Sequence, residues 1–379
     1  MDGGPGPDVV RLLPGADMTT ATGGSCLAAV PRRLSLGGVA IEAPVVQAAL
    51  SGYSDRAMRV LARRHGAAYT LGEVLLDRFV VEADRSRRNA ARLAVAAEEH
   101  PVGGQLMGAN PADFPPAARR LVAEGYDVID INFGCPVKKV LGRCRGGFLL
   151  SQPETALEIV ARVRDAVPAH IPVTLKMRRG IDDSPRSHDD FWTIFDGAFA
   201  RGAAAITVHG RTVQQRYVGP SDWEFLAAVK RHAGGRTVIG SGDLFSAEAC
   251  LAMLERTGVD GVSVARGAIG NPWIFRQVRS LLAGHPPLPP PTIHEQRDAL
   301  REHWALAVEL HGEAIAGRSM RKFAIKYARV HPEHLAVRDA FVAVKVNADW
   351  EGVLDRFYAA DGPGRDPAAD VDEVGTCES

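Results

Sequence analysis

Between residues 44 and 265 short apolar runs alternate with longer stretches in which apolar residues recur every three or four positions. The apolar runs fall at 44–50, 68–74, 102–107, 127–132, 171–177, 204–209, 236–240 and 260–265. The amphipathic stretches fall at 55–65, 112–124, 153–166, 189–201, 222–232 and 246–257. Strand-length runs separated by helix-length periods predict parallel βα units. Eight of them favour a closed TIM (β/α)8 barrel; six or seven would suit an open doubly wound sheet. The run of prolines at 286–291 breaks the alternation and predicts a stiff linker. Beyond it the helical period returns at 293–311, 314–329, 333–346 and 349–358, without strand-like alternation. The expected organisation is therefore α/β, a barrel over 36–285 followed by a small all-helical domain over 292–359. Residues 1–35, rich in Gly, Pro, Ala and Thr, and 360–379, rich in Gly, Pro and acids, are expected to be disordered. Met18 is an alternative start to Met1.

Composition narrows the function by exclusion. With 45 Lys and Arg against 45 Asp and Glu the formal net charge is zero, so binding to nucleic acid would need a local patch. The five cysteines, Cys26, Cys135, Cys144, Cys250 and Cys377, lie far apart without a C-x-x-C pair. That suggests neither a disulfide framework nor a metal site, and fits a reducing cytoplasm. No apolar run is long enough for a membrane span, and no secretory signal pattern opens the chain. A cytoplasmic monomer is the expectation.

Candidate chemistry gathers where each strand ends. In a parallel barrel the C-terminal strand ends carry the active site. Here those ends bring Gln105, then Asn132 and Cys135, then Lys176 and Arg178, then His209 and Arg211. Ser241, Gly242 and Asp243 follow the seventh run, and Ala265 and Arg266 the eighth. Glycine-rich turns after strands seven and eight let backbone N–H groups approach a phosphate, and Arg266 adds charge. A phosphate held there, with Gln105, Lys176 and His209 around the mouth, suits flavin mononucleotide (FMN). Gln105 would pair with the polar edge of the ring system, and Lys176 would offset negative charge near N1. No G-x-G-x-x-G turn announces a Rossmann site. Cys135, in the run Asp130–Val140, is a candidate acid or nucleophile at a strand end.

These segments resemble the tRNA-dihydrouridine synthases, most closely the bacterial B-type branch. The resemblance rests on Gln105-Leu106-Met107-Gly108, Asp130–Val140, Leu175–Arg178, Thr207–Thr212, Thr257–Gly261 and Arg266–Phe275, collinear over roughly 36–358. It implies an FMN-dependent, NADPH-driven reduction of uridine in tRNA. Hydride would reach C6 of the uracil from reduced FMN, and Cys135 would give a proton to C5. It places Ala49, Leu50, Ser51, Gln105, Lys176, His209, Ser241, Gly242, Asp243, Ala265 and Arg266 at flavin-contacting positions. Asn132, Arg178 and Arg211 are candidates for the base or its phosphate. Because a thiol that donates a proton must stay protonated, Lys138 and Lys139 are expected to face away from it.

A uridine inside folded tRNA must be extruded to reach such a mouth, so a second contact surface is required. Residues 314–345 carry Arg318, Arg321, Lys322, Lys326, Arg329, Arg338 and Lys345 against Glu333 and Asp339 alone. Arg321 and Lys322 are the foremost candidates of this stripe, and Tyr327 among them is a candidate to stack on RNA. Several positions depart from the family pattern. Ala49 and Leu50 stand where Pro and Met are usual, Ser241 for Asn and Ala265 for Gly. Arg145 and Phe148 stand where small residues are usual. A flavin barrel acting on a free pyrimidine, as dihydroorotate dehydrogenases do, and an RNA-binding flavoprotein without turnover are the competing readings.

Overall fold

A computed structural model of the chain describes residues 30–82 and 92–367. A closed eight-stranded parallel barrel forms its centre, in the order β3 (Val45–Gln47), β4 (Thr70–Leu76), β5 (Val102–Met107), β6 (Val128–Phe133), β7 (Val173–Arg178), β8 (Ala203–His209), β9 (Thr237–Ser241) and β10 (Gly261–Val264). Each strand pairs in parallel with its neighbours, and β10 closes on β3 through Val262↔Val45 and Val264↔Gln47. All eight apolar runs became these strands. Helices α1 (Arg56–Arg64), α3 (Phe114–Ala123), α5 (Pro153–Ala166), α6 (Pro185–Ala200), α7 (Trp223–Ala233) and α8 (Ala247–Thr257) surround them. Two short helices, α2 (Asp77–Val81) and α4 (Lys138–Leu141), decorate the loops after β4 and β6.

Local chemistry sets the helix ends. Ser246 accepts the Ala249 N–H to cap α8, and Gly258 (φ 69°) ends it in the left-handed region. Ser184 caps α6, with Pro185 at its first position. The barrel strands are buried on both faces, as interior side chains meet one another inside and helices cover the outside.

The N-terminal boundary differs from expectation. Residues 1–29 lie outside the described residues. Leu34–Leu36 (β1), expected to be disordered up to 35, pairs antiparallel with Val39–Ile41 (β2). Leu34, Leu36 and Ile41 are buried. Gly37 abuts Pro172 and Ala204, and Leu34 lies against Gly261. The hairpin thus covers the end of the barrel where the strands begin, and leaves the opposite end as the mouth. Its strands are too short to show a period, so the sequence hides it.

After β10, α9 (Ile274–Leu282) leads through the proline run to α10 (Ile293–His311), α11 (Glu313–Tyr327), α12 (His334–Ala343) and α13 (Asn347–Phe357). Thr292 and Glu295 form a reciprocal capping box at the start of α10. This helical region packs onto the barrel at the loop after β10. Gly270 (φ 69°) lies so near the Lys326–Tyr327 peptide that a Cβ there would come within 2.4 Å of it. Arg329 donates to the Ile269 carbonyl at 2.8 Å. The tail boundary also differs from expectation. Ile293 N–H donates to Gly362 O, and Arg365 N–H to Val330 O, so residues 361–365 fold back onto the helices. Residues 368–379 lie outside the described residues. No helix among the described residues is long and apolar enough to cross a membrane.

Candidate active site at the barrel mouth

Asn132, at the end of β6, shapes the turn that carries Cys135. Its Oδ1 accepts the N–H groups of Gly134 (2.9 Å) and Cys135 (3.1 Å). Gly147 N–H donates to Cys135 O at 3.0 Å, and Gly146 lies against the Cys135 Cβ. The thiol is therefore fixed from both sides while remaining partly open. Burial pushes its pKa up; the Val137 N–H, Arg178 and Lys176 oppose the rise without cancelling it. Lys138 and Lys139 are exposed and are not among the charges that act on the sulfur.

A buried chain of hydrogen bonds runs under this turn. Thr174 Oγ1 donates to Asp130 at 2.6 Å, Gln105 Nε2 donates to Asp130 at 2.7 Å, and Asn132 Nδ2 donates to Gln105 Oε1 at 2.7 Å. The carboxylate thereby fixes which end of the Gln105 amide faces which partner. That order leaves Gln105 one N–H and one lone pair for another ligand. The sequence reading assigned Asp130 no role; its signal is a lone carboxylate within the apolar strand Val128-Ile129-Asp130-Ile131.

Cations line the other half of the mouth. Lys176 makes no hydrogen bond or ion pair among the described residues, and burial with Arg178 nearby brings its pKa down to about 8. His209 is buried with Nδ1 unpartnered. Burial and the charges of Arg178, Lys176, Arg211 and Arg266 hold it well below the usual imidazole pKa, hence neutral. Arg178 is clamped: it donates to the carbonyls of Gly134 (3.0 Å), Thr212 (2.8 Å) and Arg216 (2.8 Å). Arg211 is turned to Asp243 at 2.8 Å and to Gly219 O. Its Nε and Nη2 hold the loops after β8 and β9 together, while its buried Nη1 has no partner among the described residues. Asp243 also accepts the Ser221 N–H at 2.7 Å, so its carboxylate is a loop clamp as well.

The turns after β9 and β10 interlock. Gly242 (φ 120°) lies on Ser221 and His209, and a Cβ on Gly267 would fall 2.0 Å from Leu244 O. Among the described residues, no loop hydrogen bond uses the N–H of Gly242, Asp243 or Gly267. Arg266 follows Ala265 here, over the rings of Tyr217 (4.3 Å) and Phe245 (5.2 Å). Free N–H groups beside a guanidinium form an anion cradle. A cleft of about 730 Å³ between the loops after β7 and β8 is lined by Asp182, Asp183, Gln215 and Val218, and its carboxylates disfavour a phosphate there. Beside the cradle, in the loop after the neighbouring strand β3, Ala49 and Leu50 are half-buried and Ser51 is exposed.

The helical stripe divides. Arg318 and Arg321 are exposed, whereas Lys322 donates to Gly52 O and sits over Tyr53. Tyr327, a sequence candidate for stacking on RNA, is 1% exposed. It packs edge-on against Trp273 and pairs with His303 at 3.3 Å, so it is core.

The family model of dihydrouridine synthases matches residues 46–358. The chain belongs to the dihydrouridine synthase family. Its relatives include a probable tRNA-dihydrouridine synthase of Mycobacterium tuberculosis, 36% identical over 86% of this chain and 84% of that one. The tRNA-dihydrouridine synthase B of Xanthomonas axonopodis pv. citri is 35% identical over 86% of this chain and 92% of its own. Among solved structures, morphinone reductase in complex with tetrahydroNAD shares the fold at TM-score 0.51 and 14% identity, covering 69% of this chain and 92% of that one. Histamine dehydrogenase from Rhizobium sp. 4-9 aligns at TM-score 0.54 and 13% identity, over 74% and 51%. Within the dihydrouridine synthase frame, sequence reasoning located the residues of the mouth but missed Asp130, Thr174 and Ser221, whose value lies in contacts that have no spacing signature.

Proposed function

We propose that this dihydrouridine synthase reduces the C5–C6 bond of uridines in tRNA, with FMN as its cofactor and NADPH as reductant. The observation that carries the reading is the pairing of an open, protonated Cys135 with a cationic, N–H-lined cradle on the facing side of one mouth. The cradle fits the FMN phosphate through Ser241, Gly242, Asp243, Ala265 and Arg266. The neutral His209, with a free Nδ1, and Gln105, with its remaining donor and acceptor, fit the polar edge of the ring. Ala49, Leu50 and Ser51 fit its flank. Bound and reduced, the flavin supplies hydride to C6 of the uracil.

The protein supplies the rest. Burial keeps the Cys135 thiol protonated at neutral pH, which is the state an acid needs. When its proton passes to C5, the sulfur left behind faces the Val137 N–H and the charges of Arg178 and Lys176, which stabilise a thiolate. Asn132 holds the turn, and its own amide is already committed to Gln105, Gly134 and Cys135. Its proposed role toward the uracil is therefore placement of the thiol as much as contact with the base. Arg178 sits within the same frame, fixing the Gly134 carbonyl beside the sulfur. Exposed Arg318 and Arg321 are the proposed tRNA contacts of the helical region.

The test is to map dihydrouridine in tRNA from cells lacking this protein, with wild-type and Cys135→Ala rescue. Wild type is expected to restore the modification and Cys135→Ala to leave it absent. Purified protein is expected to act on tRNA and leave free uridine unreduced; turnover of the free nucleoside would favour the free-pyrimidine reading instead.

A further inference from the structure

The loop between β3 and α1 contains Ala49, Leu50 and Ser51, which the cofactor reading places against the flavin. Its backbone turns on Leu50 and Ser54, and Arg59 of α1 donates to Ser54 O at 3.1 Å, but among the described residues no such bond reaches Gly52 from the barrel. Tyr53 and Ser54 N–H both donate to Leu50 O at 3.0 Å, and Leu50 N–H donates to the Ser54 hydroxyl at 2.8 Å. Gly52 has φ 75°, a conformation glycine adopts freely and holds weakly. Where Pro would stiffen the chain at 49, this chain has Ala, which leaves more freedom to be lost on ordering.

At Gly52 the tie comes from the helical region. Lys322 of α11 donates its ammonium to Gly52 O. Its charge lies 4.9 Å from the centre of the Tyr53 ring and 5.2 Å from that of Phe323, which meets Tyr53 edge-on at 5.3 Å. One turn along the chain, Asp55 caps α1 and pairs with His311 of α10 at 3.0 Å. Arg321 and Lys322 are sequence neighbours, so they project roughly 100° apart around the helix. One faces solvent and the other faces the barrel.

We propose that Lys322 is a positioning residue for the cofactor loop rather than a tRNA contact, and that through it the helical region sets the shape of the flavin pocket. The inference rests on the FMN reading above. It also separates two neighbouring basic residues that sequence alone treats as one stripe.

The experiment compares wild type, Lys322→Met and Arg321→Met as full-length protein stripped of flavin. FMN affinity is read by fluorescence quenching, amide exchange at residues 50–54 is read in the absence of FMN, and tRNA affinity is read at fixed salt. Lys322→Met keeps the side-chain stem over Tyr53 and removes the donor. It is expected to raise the FMN Kd about 3- to 10-fold and to speed exchange at Leu50, Tyr53 and Ser54. Arg321→Met is expected to leave both unchanged and to weaken tRNA binding. Lys322→Arg, which keeps a cationic donor, is expected to recover most of the FMN affinity. An unchanged Kd in Lys322→Met, or a raised Kd with unchanged exchange at the loop, overturns the proposal while leaving the cofactor reading in place. Wild-type protein that takes up no FMN overturns both.

Discussion

The chain concentrates positive charge in two places, and they differ in how that charge is used. At the barrel mouth Lys176 and Arg178 at the end of β7, Arg211 after β8 and Arg266 after β10 are largely buried, and two are locked by carbonyls or a carboxylate. On α11 the charges share one helix, yet Arg321 is exposed while Lys322 and Arg329 reach across to barrel carbonyls. A buried guanidinium must be paired to be tolerated, so it becomes part of the scaffold. An exposed one is free to meet a phosphate but contributes little to the fold. The mouth is therefore a preorganised site, and under the proposals above the helix divides into exposed charge for tRNA and inward charge that braces barrel loops.

The strongest way to break this picture is at Cys135, which its turn holds in place while leaving the sulfur open. Cys135→Ala is expected to lower the rate of dihydrouridine formation by roughly 10²- to 10⁴-fold, the usual worth of a positioned acid, with flavin binding unchanged. Single-turnover oxidation of pre-reduced enzyme by tRNA measures it directly. A rate within tenfold of wild type would remove Cys135 as the proton donor.

Next in size comes the scaffold role of the mouth cations. Arg178→Met strands the carbonyls of Gly134, Thr212 and Arg216 in a buried site. A loss of about 3 kcal/mol in unfolding free energy is expected, measured by denaturant titration. A variant as stable as wild type would show that these carbonyls find other partners and that Arg178 is held in reserve for substrate.

The helical region can be probed through its buried imidazole. His303 contacts Phe323 and Tyr327, and burial brings its pKa down to about 4. Its folded pKa lies below the unfolded value of about 6.5, so the unfolded chain takes up a proton first as pH falls. The neutral side chain is therefore tolerated at full stability above about pH 6.5, and stability declines as pH drops from there toward 4. Between pH 7.5 and 5 this group contributes about 2 kcal/mol of loss. His209, also held neutral by burial, adds in the same sense. His303→Gln is expected to flatten the pH dependence by its share; identical pH profiles in the two proteins would clear His303 of the effect.

How much of this was legible in the sequence follows from what each element needs. The strands and helices were legible because burial on a barrel imposes a period that residues must obey. The mouth was legible because polar residues such as Lys176 and His209 interrupt apolar runs at their ends. The β1–β2 hairpin was not, since three-residue strands carry no period. The fold-back of residues 361–365 was hidden because it rests on backbone bonds, which composition does not report. Tyr327 misled for a different reason. Its neighbours at 318, 321, 322 and 326 are basic, but 327 falls on the inward face of the helix with Met320, Phe323 and Ala324. Facing Trp273 and His303, it completes the core of the helical region. A charge count along the chain treats Arg321, Lys322 and Arg329 alike, and only packing separates them.

The smallest expected effect is the one that isolates the exposed half of that stripe. Arg321 is exposed. If it neutralises one phosphate, Arg321→Met should reduce the slope of log affinity for tRNA against log salt by about 0.7 to 0.9, with a loss in affinity on the order of 1 kcal/mol at moderate salt. The same substitution should leave the unfolding midpoint unchanged, because no buried group loses a partner. Tyr327→Phe supplies the opposite pattern. It removes a hydroxyl that pairs only inside the core, so it should alter stability by about 1 kcal/mol and leave the salt slope as in wild type. A change of slope in Tyr327→Phe, or its absence in Arg321→Met, would mean that the RNA docks on a different face of the helices. The contrast between a scaffold charge and a contact charge would then have to be drawn elsewhere.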